Sequence, residues 1–126
     1  MRDSLRHFVA EFVGTFALVF VGGGAIMSAD LAKNPAGITQ IAFAHGLILA
    51  LMVTATMRVS GHLNPAVTLG FVVTRRIEPV MAMVYIIAQV LAAVVAAYTL
   101  RALFPDVVVL SSRLGGQSIS IDVTTL

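Results

Sequence analysis

Ser60-Gly61-His62-Leu63-Asn64-Pro65-Ala66-Val67-Thr68 is a polar, helix-breaking insert between two stretches each apolar enough to cross a bilayer. Hydrocarbon offers free N–H and C=O groups no hydrogen-bond partner, so irregular chain at membrane depth persists only inside protein or beside a water-filled cavity. Asn64 precedes Pro65, and proline suits the first turn of a helix, where its missing N–H would have found no partner in any case. The apolar run from Ala66 to Val73 carries that helix onward until Arg75 and Arg76 stop it. The nine residues from Pro65 to Val73 make ~14 Å of helix, about half of a ~30 Å hydrocarbon core. The pattern predicts a half-helix with Asn64 and its N-terminus inside the membrane.

Around the insert the sequence predicts an all-α membrane protein with three full spans, at about 8–28, 38–57 and 78–104, and a half-helix at about 65–73. Asp30 to Gly37, centred on Lys33-Asn34-Pro35, reads as a polar turn, and 105–126 as a loop or tail without the apolar length of a fourth span. The 126 residues suffice for one domain or half of a larger helical bundle. Hydrophobic residues make up 59% of the chain and charged ones 11%, well below the ~25% of an ordinary globular domain. With no cysteine, disulfides and thiol chemistry are excluded, and no cluster of nucleophile and base, paired carboxylates or metal ligands points to an enzyme, a metal or a cofactor. Eight scattered basic residues give a net charge of +2, which is no nucleic-acid arm. Arg2 and Arg6 before an apolar run could head a signal peptide, but the Glu inside the run and the further spans argue against cleavage. Arg2, Arg6, Arg58, Arg75 and Arg76 fall on one side of the spans and Lys33, Arg101 and Arg113 on the other. This modest excess places the N-terminus in the cytoplasm, in a multi-pass protein of the cell (inner or plasma) membrane.

Four stretches in order resemble the first half of the major intrinsic protein family, the aquaporins and aquaglyceroporins. Ala10-Glu11-Phe12-Val13-Gly14-Thr15-Phe16 is similar to the family's first-helix signature, and His62-Leu63-Asn64-Pro65-Ala66-Val67-Thr68 to its first NPA loop. Tyr85-Ile86-Ile87-Ala88-Gln89 resembles its third helix, and Leu114-Gly115-Gly116 through Thr125-Leu126 the loop that leads into the fourth. The resemblance implies one repeat of a pore in which two NPA half-helices meet near the midplane as an inverted repeat. Asn64, Pro65 and Ala66 would form the half-helix mouth, where N–H donors and the positive helix end receive a water oxygen and oppose cations.

The same resemblance assigns Glu11 to holding the backbone of the NPA loop, with a proton relay as the sharper alternative, and gives Gln89 a similar supporting duty. His62 is expected to hydrogen-bond locally. His45 falls where the family's second helix contributes to the outer constriction, a position where some plant vacuolar relatives carry His; its blander alternative is a histidine bonded within the bundle. Val67 follows Ala66 where the second repeat of the family carries the constriction arginine, and only Gly61 precedes the histidine where the family has two glycines. The partners expected are the lipid bilayer and a second aquaporin-type half, with higher oligomers possible. That half is either a complementary chain or an identical copy inserted in the opposite orientation. The alternatives are a non-conducting fragment or accessory subunit and, more remotely, an ion-coupled transporter with a broken helix.

Overall fold

A computed structural model of the chain describes residues 2–33 and 37–116, and all regular structure among them is helical. Parts of the Lys33-Asn34-Pro35 turn, and the loop from residue 117 to 126, lie outside the described residues.

Three helices have the length and apolarity to span a membrane: α1 (Arg2–Leu31), α2 (Gly37–Thr56) and α4 (Pro79–Leu103). Between α2 and α4 stands the nine-residue α3 (Pro65–Val73). The 30 residues of α1 measure ~45 Å, enough to cross hydrocarbon and both headgroup layers. It therefore extends beyond the span predicted at 8–28, because the polar residues flanking the apolar run remain helical.

α1 and α4 run in parallel. His7 meets Tyr85, Glu11 meets Gln89, and Gly23 meets Leu100, so contacts advance along both helices together. Their seam is built from small residues on α4, with Ala88, Ala92 and Ala96 fully buried at helical spacing. Toward the far end Met27, Leu100 and Val108 form a buried cluster with Phe20, Phe104, Val109 and Leu114 packed around it. α2 packs chiefly on α1, and only its end residues Gly37 and Thr56 are buried. Most of its circumference is apolar and uncovered, with Phe43, Leu47 and Leu51 all exposed.

The segment after α4 differs from the predicted loop. Asp106–Ser112 forms α5, followed by a short turn at Arg113–Gly115. Pro105 occupies the position before the first helical residue, Asp106 supplies an acid in the first turn, and Val108 is buried against Met27 and Leu100. Tertiary packing on the ends of α1 and α4 thus rescues a helix too short to announce itself by periodicity. Ser111 also hydrogen-bonds Asp30 across the gap between α5 and α1.

Candidate functional site

The insert between α2 and α3 folds around one carboxylate. Glu11 Oε1 accepts the backbone N–H groups of Gly61 at 2.9 Å and His62 at 2.8 Å. Oε2 accepts from Leu63 N at 2.7 Å and from Gln89 Nε2 at 2.7 Å. Both residues are buried, Glu11 completely. Irregular backbone that hydrocarbon would leave unpaired is satisfied by a charge that hydrocarbon would itself reject, so each solves the other's problem. All four of these partners donate, as the supporting role expected of Glu11 requires.

Gln89 continues the network. A carboxylate only accepts, so the amide must turn its NH2 toward Glu11; Nε2 then also donates to Thr68 Oγ1 at 3.1 Å. Its Oε1 is buried with no partner among the described residues. Thr68 donates its one proton to Asn64 O at 3.1 Å, so its oxygen receives from Gln89 and from His62 Nδ1, also at 3.1 Å. This assigns the His62 ring the Nδ1–H tautomer. The ring is held between Phe71, at 4.3 Å between centroids, and Tyr85, at 5.0 Å. Thr68 is the residue that sequence reasoning passed over; its part shows only in the fold, where its hydroxyl is fully buried in an otherwise apolar half-helix.

Two turns of unusual backbone shape the loop: Gly61 at φ +131° and Leu63 at φ +52°. Leucine rarely adopts the left-handed region, and here its side chain, 2% exposed, sits where a Cβ on Gly14 would stand 2.3 Å from Leu63 Cδ2. Gly14 lies near the middle of α1, which sets the depth of the loop. From there α3 descends toward the α1 N-terminal side, where α4 begins.

Gly14→Ala should destabilise the chain by ~1–3 kcal/mol through overpacking. Where there is room in a helix the same change would gain up to ~1 kcal/mol, and Gly24→Ala in α1 serves as that control because its Cβ would meet only Leu100 Cδ2, at 3.5 Å. Thermal denaturation of both variants in detergent measures the contrast; equal shifts would mean that Leu63 does not depend on the glycine notch.

At the head of α3, Asn64 is extended (φ −155°, ψ 129°) and its Oδ1 accepts Ala66 N–H at 2.8 Å, with Pro65 at the first helical position. Asn64, Ala66 and Val67 are exposed and Pro65 is half-buried. With Oδ1 engaged, the amide presents its NH2 donors outward. His45 stands apart from this cluster. Its ring is half-buried against Gly22 of α1, where a Cβ would come within 2.4 Å of Nε2, and Nδ1 bonds Ile41 O at 2.9 Å within its own helix.

The whole arrangement, a half-helix tied at mid-depth to spans on either side, has close sequence counterparts. Residues 1–124 match the family description Major intrinsic protein. The chain belongs to this family. It is 38% identical over 110 residues to probable aquaporin TIP3-2 of Arabidopsis thaliana, covering 79% of this chain and 41% of that relative. It is 43% identical over 104 residues to probable aquaporin TIP-type RB7-5A of Nicotiana tabacum, covering 78% and 42%. Nodulin-26 of Glycine max is 39% identical over 101 residues, covering 79% and 37%. The aligned region thus spans about two fifths of the length of these curated relatives. Within the major intrinsic protein family the chain is an integral membrane protein with one NPA half-helix, and its ring of donors around Glu11 fixes where that half-helix begins.

Proposed function

We propose that this chain supplies one half of a passive channel for water or another small neutral solute, completed by a second aquaporin-type half. The observation that carries the reading is the outward-facing NH2 of Asn64 at an uncovered helix N-terminus, held at mid-span depth. Such an end orients a passing oxygen by hydrogen bonds and opposes cations by its positive potential, with no covalent step. In this reading Asn64, Pro65 and Ala66 form the pore mouth, His45 and Val67 line constrictions, and Glu11, His62 and Gln89 brace the loop. The protein is no enzyme. Its N-terminus is cytoplasmic and it resides in the cell membrane.

Two glycines support a missing partner. Gly14, Gly22, Gly23 and Gly37 each have a neighbour where a Cβ would stand, whereas Gly46 on α2 and Gly70 on α3 have nothing within 4 Å. Glycine inside a helix costs ~1 kcal/mol relative to alanine, and close approach by another element is what offsets it. The completing half is a second copy inserted in the opposite sense or a complementary segment or chain.

Stopped-flow osmotic shrinkage of liposomes containing the purified chain tests this. Fast flux with low activation energy is expected if identical copies complete the pore; flux no faster than empty liposomes would show that the chain alone is insufficient, leaving a complementary half or a non-conducting fragment. Because the chain has no cysteine, Val67→Cys gives a clean probe in whichever preparation conducts. A mercurial should block the variant reversibly and leave the parent chain unaffected, since Val67 is 42% exposed at the half-helix head. Unblocked flux through the labelled variant would remove Val67 from the pathway.

A further inference from the structure

An apolar groove of about 590 Å³ runs along one side of α1 and α2, lined by Leu5, Val9 and Val13 of α1 and by Met52, Ala55 and Val59 at and beyond the end of α2. No residue of α3 or α4 lines it. At its head a smaller pocket of about 90 Å³ is lined by Asp3, Arg6, His7, Arg58 and Val59, so Arg6 and Val59 belong to both spaces. We propose that groove and pocket form one site for a monoanionic phospholipid. Its phosphate would sit between Arg6 and Arg58, with an acyl chain along the groove.

The charges fit that ligand. Arg6 and Arg58 are exposed, and neither is ion-paired with a described residue. Two guanidiniums and one Asp3 carboxylate leave a single positive charge when His7 is neutral, which complements a phosphodiester better than a phosphomonoester dianion. The His7 ring is kept at the pocket wall by its contact with Tyr85, through a 2.7 Å hydrogen bond and stacking at 5.6 Å.

The depth fits as well. From Arg6 to Val13 the helix rises ~10 Å, within the ~15 Å of one hydrocarbon leaflet. The pocket therefore stands at headgroup level while the groove below it lies among acyl chains. Basic groups on this side of a membrane attract anionic headgroups, and Arg6 is long enough to keep its stem in the groove and its head in the pocket. The inference rests on the chain crossing a membrane with its N-terminus in the cytoplasm, as proposed above, and not on its conducting, so its outcome is separate from that of the flux measurement.

Native mass spectrometry of the full chain in non-ionic detergent tests the proposal, with palmitoyl-oleoyl phosphatidylglycerol, palmitoyl-oleoyl phosphatidylcholine and glycerol 3-phosphate as probes. Phosphatidylglycerol should bind ~10- to 30-fold more tightly than phosphatidylcholine, and the double variant Arg6→Gln/Arg58→Gln should lose that preference while still binding phosphatidylcholine. Ala55→Phe, which fills the groove from an exposed position, should weaken both lipids. Equal affinity for the two lipids, or a preference that survives in the double variant, overturns the site. Glycerol 3-phosphate bound as tightly as the lipid would make it a pocket for free anions. A dimer that excludes lipid until it dissociates would make the groove a seat for a second copy.

Discussion

Glu11→Ala should collapse the segment from Gly61 to Asn64 and cost more than ~4 kcal/mol of stability, because several buried donors would each lose their acceptor at ~1–3 kcal/mol apiece. Three of those donors are backbone N–H groups that no side-chain rearrangement removes, and the fourth is the Gln89 amide. Glu11→Gln keeps the shape but turns an NH2 toward groups that also donate, so about half of that loss is expected. Gln89→Ala removes one of the two donors to Glu11 Oε2, which keeps Leu63 N–H, at ~1–2 kcal/mol. Thermal denaturation followed by circular dichroism in detergent ranks the three. A double-mutant cycle should find Glu11 and Gln89 coupled, since they share one network. If Glu11→Ala costs under ~1 kcal/mol, the loop is held by something other than this carboxylate.

In the proposed channel, Asn64→Asp should leave the fold intact and change what the head of α3 repels. The retained oxygen still caps α3 by accepting Ala66 N–H, aspartate caps a helix as well as asparagine, and the positive helix end favours the new charge. What disappears is the outward NH2, replaced by an anion. A unit charge ~4 Å from a passing ion contributes ~4 kcal/mol at an effective dielectric constant of 20, or ~10³-fold in cation occupancy. In a preparation that conducts, cation leak measured with an ion-sensitive dye inside liposomes should rise steeply while the melting temperature stays put. Ion exclusion unchanged by the substitution would place Asn64 away from the pathway. Asn64→Ala separates the two roles, because it loses the cap, at ~1 kcal/mol, without adding charge.

The architecture was legible to different depths for reasons that lie in particular residues. Span-forming helices show in a sequence because hydrocarbon tolerates little else over ~20 residues. The half-helix is legible because its signals are local: Asn64 as cap, Pro65 at the first position, Arg75-Arg76 beyond the end. α5 was not, since seven residues carry too little pattern and its stability comes from Val108 on a surface built by residues far away in the chain. At the site, the buried acid in the first span could be singled out from its cost alone. The resemblance pointed to the NPA loop and Gln89 as what it holds, but not to the individual N–H groups, which lie 50 to 52 residues distant, two of them at residues in left-handed turns. Nor does any sequence pattern announce a leucine at positive φ seated on Gly14, or a threonine that joins Gln89, His62 and Asn64.

The separation between Glu11 and its partners also imposes an order on biosynthesis. The last donor to arrive, Gln89, follows Glu11 by 78 residues, which at ~5–20 residues per second is roughly 4 to 16 seconds of translation. Throughout that interval a carboxylate well inside the first span has neither its loop nor its amide. Hydrocarbon would not hold it unpaired, so α1 must wait at a site where water or the insertion machinery reaches Glu11, and it can settle into lipid only after the third span has emerged. Although made before α4, α1 becomes final in position only after it.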